Sequence, residues 1–477
     1  MRFAVHTFGC QMNQHDSERM EEVLRRAGND EASFDDAEVI VLNTCSVREK
    51  AEQKLRSEVG RLARLKRERP ELVLVVAGCM AQQEGQRILQ KMPAVDVVVG
   101  PDNLVELPEL IEQVALGGPP TVRTEFDLDE PRFLSAPSTV RGPTAFVTTM
   151  KGCNERCSFC VVPTTRGPER YRPSGEVVGE IAQQVERGVR EVTLLGQTVN
   201  SYRDPSGALP RAPEADPGDP DESEFAALLR SITEQVPDLW RLRYTSPHPR
   251  HLTPSLMAAH AELTALPRHV HLPVQSGSDR MLKRMIRRHT RAEYVARVAK
   301  LRERVDGVTL STDIIVGFCG ETEADFELTL SLLEEVGFVG VFGFKYSPRP
   351  NTPALKMDDD VSESDKRERL QRLFAVSERH IGAHLGALVG SEQHVLIEGP
   401  SKSRPENWSG RSAHNEIVHV GGAESMDLTG QLVRVRIVEA YKHSLMSELV
   451  DGTATLCRVL GDSSPRQRSR RLKVISS

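Results

Sequence analysis

Short runs rich in β-branched and aliphatic residues at positions 3–7, 39–43 and 72–77 are each followed by a polar stretch of helical character. This alternation constrains the fold of the chain more than any other feature. A strand-like run followed by a helix-forming stretch, repeated, is the pattern of βαβ units built on a parallel sheet. The helical stretches lie at 16–27, 47–68 and 81–92, and a fourth strand-like run, VDVVVG, leads into a helix over 104–116. Residues 1–118 are therefore expected to form a doubly wound parallel-sheet α/β domain. The prolines and mixed polarity of 119–142 read as a linker.

From Thr144 the alternation restarts, with strands expected at 144–149, 191–195, 240–245, 269–274, 308–316 and 338–346. Six parallel strands alternating with helices curl toward a partial (βα)6 barrel, here over 143–375, whose ligands bind beyond the carboxyl ends of the strands. The Asp-, Pro- and Gly-rich stretch 203–223 reads as a surface loop without catalytic residues. After a helical connector at 362–385 come QHVLIEG, NEIVHV and QLVRVRIVEAY, separated by Gly and Ser. They predict a small antiparallel β-barrel within 376–455. The basic end, 456–477, reads as a flexible tail.

A chain of 477 residues is too long for one core, since single domains usually stop near ~250 residues, so several domains are expected. It contains no apolar run approaching the ~18 residues of a membrane span, and its start, MRFAVHTFGCQMNQ, lacks the apolar segment of a secretory signal. A cytoplasmic location is the expectation. In that compartment eight cysteines point to metal or redox chemistry rather than to disulfides.

Cys153, Cys157 and Cys160 form a C-x3-C-x2-C run in MKGCNERCSFCVVP, directly after the first strand of the second domain. Three thiolates at this spacing can bind three irons of a cuboidal [4Fe-4S] cluster and leave the fourth iron open to a ligand such as S-adenosylmethionine. A zinc loop is the competing reading, although zinc loops favour paired C-x2-C elements and closed shells. Cys10, Cys45 and Cys79 each follow one of the three early strands, in TFGCQMN, LNTCSVR and AGCMAQ. Equivalent ends of parallel strands lie side by side, so these thiols should converge on the ligand-binding face and could carry a second cluster. Three unrelated cysteines at βα turns are the alternative. Cys319 and Cys457 fall outside both sets and read as structural.

Taken together, TFGCQMN, NTCSVREKAEQK, GCMAQ, GCNERCSFCVVPTTRGPERYRP, LLGQTVNSY, HLPVQSGSDRMLKRMIRRHTRAEY and STDIIVGF resemble the methylthiotransferase family of radical S-adenosylmethionine enzymes over nearly the whole chain. The resemblance implies two [4Fe-4S] clusters, one on Cys153, Cys157 and Cys160 and an auxiliary one on Cys10, Cys45 and Cys79. It also implies that S-adenosylmethionine serves as methyl donor and as source of a 5′-deoxyadenosyl radical. The radical removes hydrogen from C2 of a modified tRNA adenosine beside the anticodon, and the auxiliary cluster holds or supplies the sulfur. NTCSVREKAEQK and LLGQTVNSY look like the group acting on N6-dimethylallyladenosine. The sister enzymes act on threonylcarbamoyladenosine or on a ribosomal-protein aspartate. An iron–sulfur electron carrier fused to an RNA-binding module is the rival from another class. Family members also imply an electron donor such as flavodoxin or ferredoxin with its reductase. Two positions depart from the pattern: Cys319 in GFCGET, where proline is expected, and Asn351 in RPNTPA, where glycine is usual.

The net charge of −6 argues weakly against nucleic acid, but residues 283–304 hold nine Lys or Arg against two Glu. This stretch, with Arg287 and Arg288, is a candidate phosphate-binding helix or a plain solvated helix face. The final barrel, with Arg404, Trp408, Arg411, Arg434, Arg436, Tyr441 and Lys442, carries guanidinium and aromatic groups suited to unpaired RNA and resembles the TRAM module. Gln197, Thr198, Gln275, Ser276 and Asp313, at or near strand ends, are the candidate contacts to S-adenosylmethionine.

Overall fold

The computed structural model describes residues 1–46, 49–128, 134, 136, 141–209, 223–402, 404–422 and 426–450. Cys457, the 456–477 tail and most of the 203–223 stretch lie outside these residues. The chain divides into two compact units, one built from Met1–Thr139, Met150–Arg172 and Pro348–Leu355, the other from Val140–Thr149, Pro173–Ser347 and Lys356–Ser477.

The first unit is dominated by a six-stranded parallel sheet. Its elements are β1 (Arg2–Phe8), α1 (Gln11–Arg26), β2 (Asp30–Glu31), β3 (Val39–Thr44), α2 (Glu49–Glu68), β4 (Val73–Gly78), α3 (Cys79–Glu84), α4 (Gln86–Lys91), β5 (Val97–Val99), α5 (Leu107–Ala115) and β6 (Thr121–Arg123), and the strand order is β2-β1-β3-β4-β5-β6. Every residue of β3, β4 and β5 is buried, as a sheet covered on both faces requires. Alternation divides these residues between two cores. Val39, Val41, Val73, Val75, Val97 and Val99 pack with Met20 and Leu24 of α1 and Leu110 and Ile111 of α5. Ile40, Leu42, Leu74, Val76 and Val98 pack with Leu55, Val59 and Leu62 of α2 and with Met80 and Ile88.

Two expectations for this region are corrected. The helix expected at 81–92 is two short helices separated by Gly85 at φ +50°, a left-handed conformation that interrupts helical hydrogen bonding. Part of the stretch read as linker, Thr121–Arg123, instead pairs with β5, Val97 opposite Thr121 and Val99 opposite Arg123. Three residues among prolines carry too weak a signal to be read as an edge strand.

The second unit contains the six alternating strands: β7 (Thr144–Thr148), then, beyond β8 (Met150–Lys151), α6 (Val162–Thr165) and β9 (Arg170–Tyr171) of the first unit, α7 (Ser174–Glu186), β10 (Glu191–Leu195), α8 (Glu224–Gln235), β11 (Arg241–Tyr244), α9 (Pro254–Glu262), β12 (His269–His271), α10 (Asp279–Arg284), α11 (Arg291–Arg304), β13 (Thr309–Val316), α12 (Glu323–Val336) and β14 (Gly340–Lys345). All pairings are parallel, in two groups of three, β11-β10-β7 and β12-β13-β14. The basic stretch 283–304 is not one helix. Ile286 and Arg288 adopt φ of 58° and 53°, which ends α10 and separates it from α11.

A long helix, α13 (Glu363–Ala387), leads into a closed barrel of β15 (Glu392–Pro400), β16 (Trp408–Arg411), β17 (Ile417–Gly421), β18 (Leu432–Ala440) and β19 (Leu445–Leu449), in the order β15-β16-β17-β19-β18. The barrel is not wholly antiparallel: β17 and β19 run parallel, Val418 opposite Leu445. Closing five strands into a ring makes at least one such pair unavoidable, because alternating directions cannot match around an odd number. Alternation along β18 sends Val433, Val435 and Ile437 into the barrel core and leaves Arg434 and Arg436 outside. The barrel is tied to the start of the parallel strands within the same unit. Arg241 donates to the carbonyls of Arg411 and His394, Arg243 donates to that of Ser412, and both arginines pair with Glu191.

Candidate functional site

The register of the first sheet sets Phe8, Thr44 and Gly78 in one row across β1, β3 and β4. Cys10, Cys45 and Cys79 follow that row at its carboxyl edge, where a doubly wound sheet binds ligands. Asn13 and Asn43 lock the row in place. Asn13 Nδ2 donates to Asn43 Oδ1 (3.1 Å) and to the Thr44 carbonyl (3.3 Å), while Asn43 Nδ2 donates to the Asn13 carbonyl (2.7 Å) and to Ser17 Oγ (2.9 Å). A Cβ on Gly78, at φ +94°, would lie 2.2 Å from Asn43 Oδ1 and 2.7 Å from the Thr44 carbonyl oxygen, so only glycine fits.

The thiols are electrostatically biased. A hydrogen bond with Cys45, backbone N–H groups of Asn13 and Met12 and the charge of Arg166 draw the Cys10 thiol down to about 6 against burial. Burial pushes the Cys79 thiol up, against the pull of Arg166. Arg166 itself is buried, with Nε 3.2 Å from Cys79 Sγ and Nη2 2.6 Å from Asp16 Oδ2.

The second cysteine triad lies in the same unit. Its loop is closed at the base by the antiparallel pair β8–β9, Met150 opposite Tyr171 and Lys151 opposite Arg170. Gly152, at φ +86°, abuts the neck of the loop, and a Cβ there would sit 1.9 Å from the Pro168 carbonyl oxygen. The Cys153 N–H donates to the Gly167 carbonyl and the Cys160 N–H to that of Cys157, a tight turn that brings the last two cysteines together. At the base of the loop, Asp102 forms an ion pair with Lys151 (2.6 Å) and accepts from Arg170, all three buried.

Both triads fit iron–sulfur clusters. Each offers three thiols on a constrained loop or row of strand ends. Among the described residues no group of three or more His, Cys, Asp or Glu is placed to hold a single metal ion. Arg166 Nη1, buried and without a hydrogen-bond partner among the described residues, is a donor awaiting an acceptor beside Cys79.

The five polar strand-end residues lie in the second unit. Gln275 holds φ +78° while its N–H donates to the Asp313 carbonyl and its carbonyl accepts from Ile315, a strained position of the kind concentrated at functional sites. Asp313 shares one face of β12–β14 with His271 (3.6 Å) and Phe342. The Thr198 carbonyl caps a short turn by accepting the Ser201 N–H and hydroxyl, and Gln197 lies next to it. Ser276 is fully buried against Thr329 and accepts the Ser278 N–H, so its hydroxyl serves the turn itself.

Among the candidate RNA contacts, Arg287 is corrected. It is 5% exposed and donates to the Pro273 carbonyl (2.7 Å), because the left-handed residues on either side turn it inward. Arg288 is exposed. On the barrel, Arg434 and Arg436 share Glu392, Arg411 meets Glu398 (3.3 Å), Lys442 meets Glu378 (2.6 Å), and Arg404 lies 4.7 Å over the Tyr441 ring. Asn351 adopts φ +63°, which explains the expectation of glycine there, and Cys319 is completely buried.

Sequence reasoning missed Asn13, Asn43, Asp16 and Arg166. The asparagines sit within three residues of cysteines in TFGCQMN and LNTC, the one signal that could have singled them out.

A three-cysteine loop following the first strand of a parallel (βα)6 array defines a radical S-adenosylmethionine enzyme. Residues 2–100 match Uncharacterized protein family UPF0004, 147–333 the Radical SAM superfamily and 386–450 the TRAM domain. The chain is 65% identical to the tRNA-2-methylthio-N(6)-dimethylallyladenosine synthase of Sorangium cellulosum, covering 100% of this chain and 99% of that protein. It is 44% identical to the protein of the same name from Ralstonia nicotianae, over 94% of this chain and 97% of the relative. In fold it is similar to the radical S-adenosylmethionine methyltransferase of Kitasatospora setae, solved with cobalamin and a [4Fe-4S] cluster, at a TM-score of 0.51 and 15% identity, covering 74% and 76% of the two chains. The chain belongs to the family of tRNA-2-methylthio-N(6)-dimethylallyladenosine synthases.

Proposed function

We propose that this chain adds a methylthio group to C2 of N6-dimethylallyladenosine at position 37, next to the tRNA anticodon, using S-adenosylmethionine as methyl donor and as radical source. The observation that carries the reading is the presence of both cysteine triads in one compact unit, each on a rigid backbone frame. When bound, the cluster on Cys153, Cys157 and Cys160 supplies the electron that cleaves S-adenosylmethionine, and the cluster on Cys10, Cys45 and Cys79 holds the sulfur to be transferred.

The residues of the second unit orient the substrates. Gln197, Thr198, Gln275 and Asp313 offer polar groups to S-adenosylmethionine at or near strand ends, whereas Ser276 supports the turn. Phe342 and Phe344, 55% and 44% exposed on the face that carries Asp313, offer apolar surface to a prenylated base. Arg288, Arg404, Arg411, Arg434, Arg436 and Lys442 meet the RNA backbone. An electron donor such as flavodoxin or ferredoxin with its reductase supplies the electron in the cytoplasm. Among the described residues no helix is long and apolar enough to cross a membrane.

The test is anaerobic reconstitution followed by turnover on anticodon stem-loops carrying dimethylallyladenosine, threonylcarbamoyladenosine or unmodified adenosine, with mass spectrometry of the nucleosides. The expected result is a methylthio adduct on the first RNA alone. An adduct on the threonylcarbamoyl RNA, or on none, overturns the reading.

A further inference from the structure

The guanidinium of Arg166 occupies a position that no cysteine pattern accounts for. It follows Cys160 by six residues, at the end of α6, yet its Nε reaches Cys79 Sγ in the other triad at 3.2 Å. Its Nη2 is held by Asp16 Oδ2 at 2.6 Å, and its own carbonyl accepts from Arg170 Nη2 at 2.8 Å, so the side chain is gripped from both ends. Nη1 remains buried without a partner among the described residues. The charged and titratable groups around it are Asp16, Cys79, Cys10, Lys151 and His15, all in the same unit.

We propose that Arg166 is a positioning residue that joins the radical-forming loop to the auxiliary centre and raises that centre's reduction potential. The inference rests on Cys10, Cys45 and Cys79 being cluster ligands. A hydrogen bond to a ligand sulfur and a nearby positive charge both favour the reduced cluster, which carries one more negative charge, and partners of this kind orient the ligands they touch. Nη1 is free to donate to an inorganic sulfide of the cluster. Asp16 has two opposed effects: it fixes the guanidinium in place, and its own charge offsets part of that of Arg166. Removing the two charges one at a time should therefore move the potential in opposite directions, which a purely structural contact would not do.

The experiment uses the full chain carrying Cys153, Cys157 and Cys160 to Ala, so that one cluster remains to be read, reconstituted anaerobically with iron and sulfide. Redox titration followed by electron paramagnetic resonance then compares this parent with R166Q, R166K, D16N and the double variant R166Q/D16N. The expected result is a lower midpoint potential for R166Q, a higher one for D16N, and values between parent and R166Q for R166K and the double variant. Iron content should be unchanged in R166K and D16N, which keep shape and most hydrogen bonds. Shifts of R166Q and D16N in the same direction, or no shift in either with the iron retained, overturn the proposal alone. A parent that binds no iron overturns it together with the assignment of Cys10, Cys45 and Cys79 as ligands.

Discussion

Lys151 Nζ lies 2.6 Å from Asp102 Oδ1, with both side chains almost wholly excluded from solvent. Burial pulls the Lys151 ammonium down to about 7 even with Asp102 opposing the shift, so the pair depends on its carboxylate. Arg170 binds the same carboxylate. Removing one partner of a buried ion pair leaves an uncompensated charge and costs about 3–5 kcal/mol. Asp102→Asn leaves the buried Arg170 guanidinium without its carboxylate and Lys151 without its acceptor, and should lower the unfolding free energy by at least that much. Chemical denaturation of the apoprotein checks this, with exposed Glu71→Gln as a near-neutral control.

Gly78→Ala tests the frame of the auxiliary triad. The added methyl meets the Asn43 side chain and the Thr44 carbonyl at a positive φ, so the row of strand ends must shift. Reconstituted protein should fall from about eight irons per chain to about four. Retention of both clusters would show that the row tolerates distortion.

On the proposed function, Phe342→Ala and Phe344→Ala should weaken binding of the prenylated stem-loop. Stacking on an aromatic side chain is worth about 1–3 kcal/mol per base, which corresponds to a rise in KM of roughly tenfold. Production of 5′-deoxyadenosine in the absence of RNA should stay constant. Steady-state assays with and without the stem-loop separate the two effects.

Arg434→Ala and Arg436→Ala should each reduce the slope of log affinity for RNA against log salt by about 1, the signature of a lost phosphate contact. Arg287→Ala should leave that slope alone and lower stability instead, because the side chain is buried on the Pro273 carbonyl. Binding titrations across a salt series, paired with thermal melts, distinguish the cases.

Glu416 provides a pH dependence. Burial favours its neutral form, but hydrogen bonds from His384 (2.7 Å) and Ser412 outweigh this and hold the carboxyl down near about 2. A folded value below the ordinary carboxylate value near ~4.3 means that the stabilisation is present above that value and is lost as the pH falls from there toward 2. The native chain should lose roughly 2 kcal/mol across this window relative to Glu416→Gln. Urea midpoints at pH 5 and pH 3 measure the difference.

Legibility in the sequence followed the range of the interaction. Continuous apolar runs announced β3 and β4, whereas β18 alternates apolar and charged residues and so sends Arg434 and Arg436 outward. The convergence of Cys10, Cys45 and Cys79 was legible because parallel strands align their ends. Arg287 was misread because a single left-handed residue on each side reverses the direction of a side chain, and neither Ile286 nor Arg288 advertises that conformation. Arg166 was missed because its partners lie 87 and 150 residues away, beyond any periodicity.

The ring closure of the final barrel has a further consequence. A closed sheet has no unpaired strand edge, and the margins of the first sheet, Asp30–Glu31 and Thr121–Arg123, are only two and three residues long. The barrel therefore offers no template on which a peptide strand or a second copy could extend the hydrogen-bond ladder. Macromolecules that dock on the barrel must be recognised through side chains, whose replacement alters selectivity without unravelling the scaffold beneath.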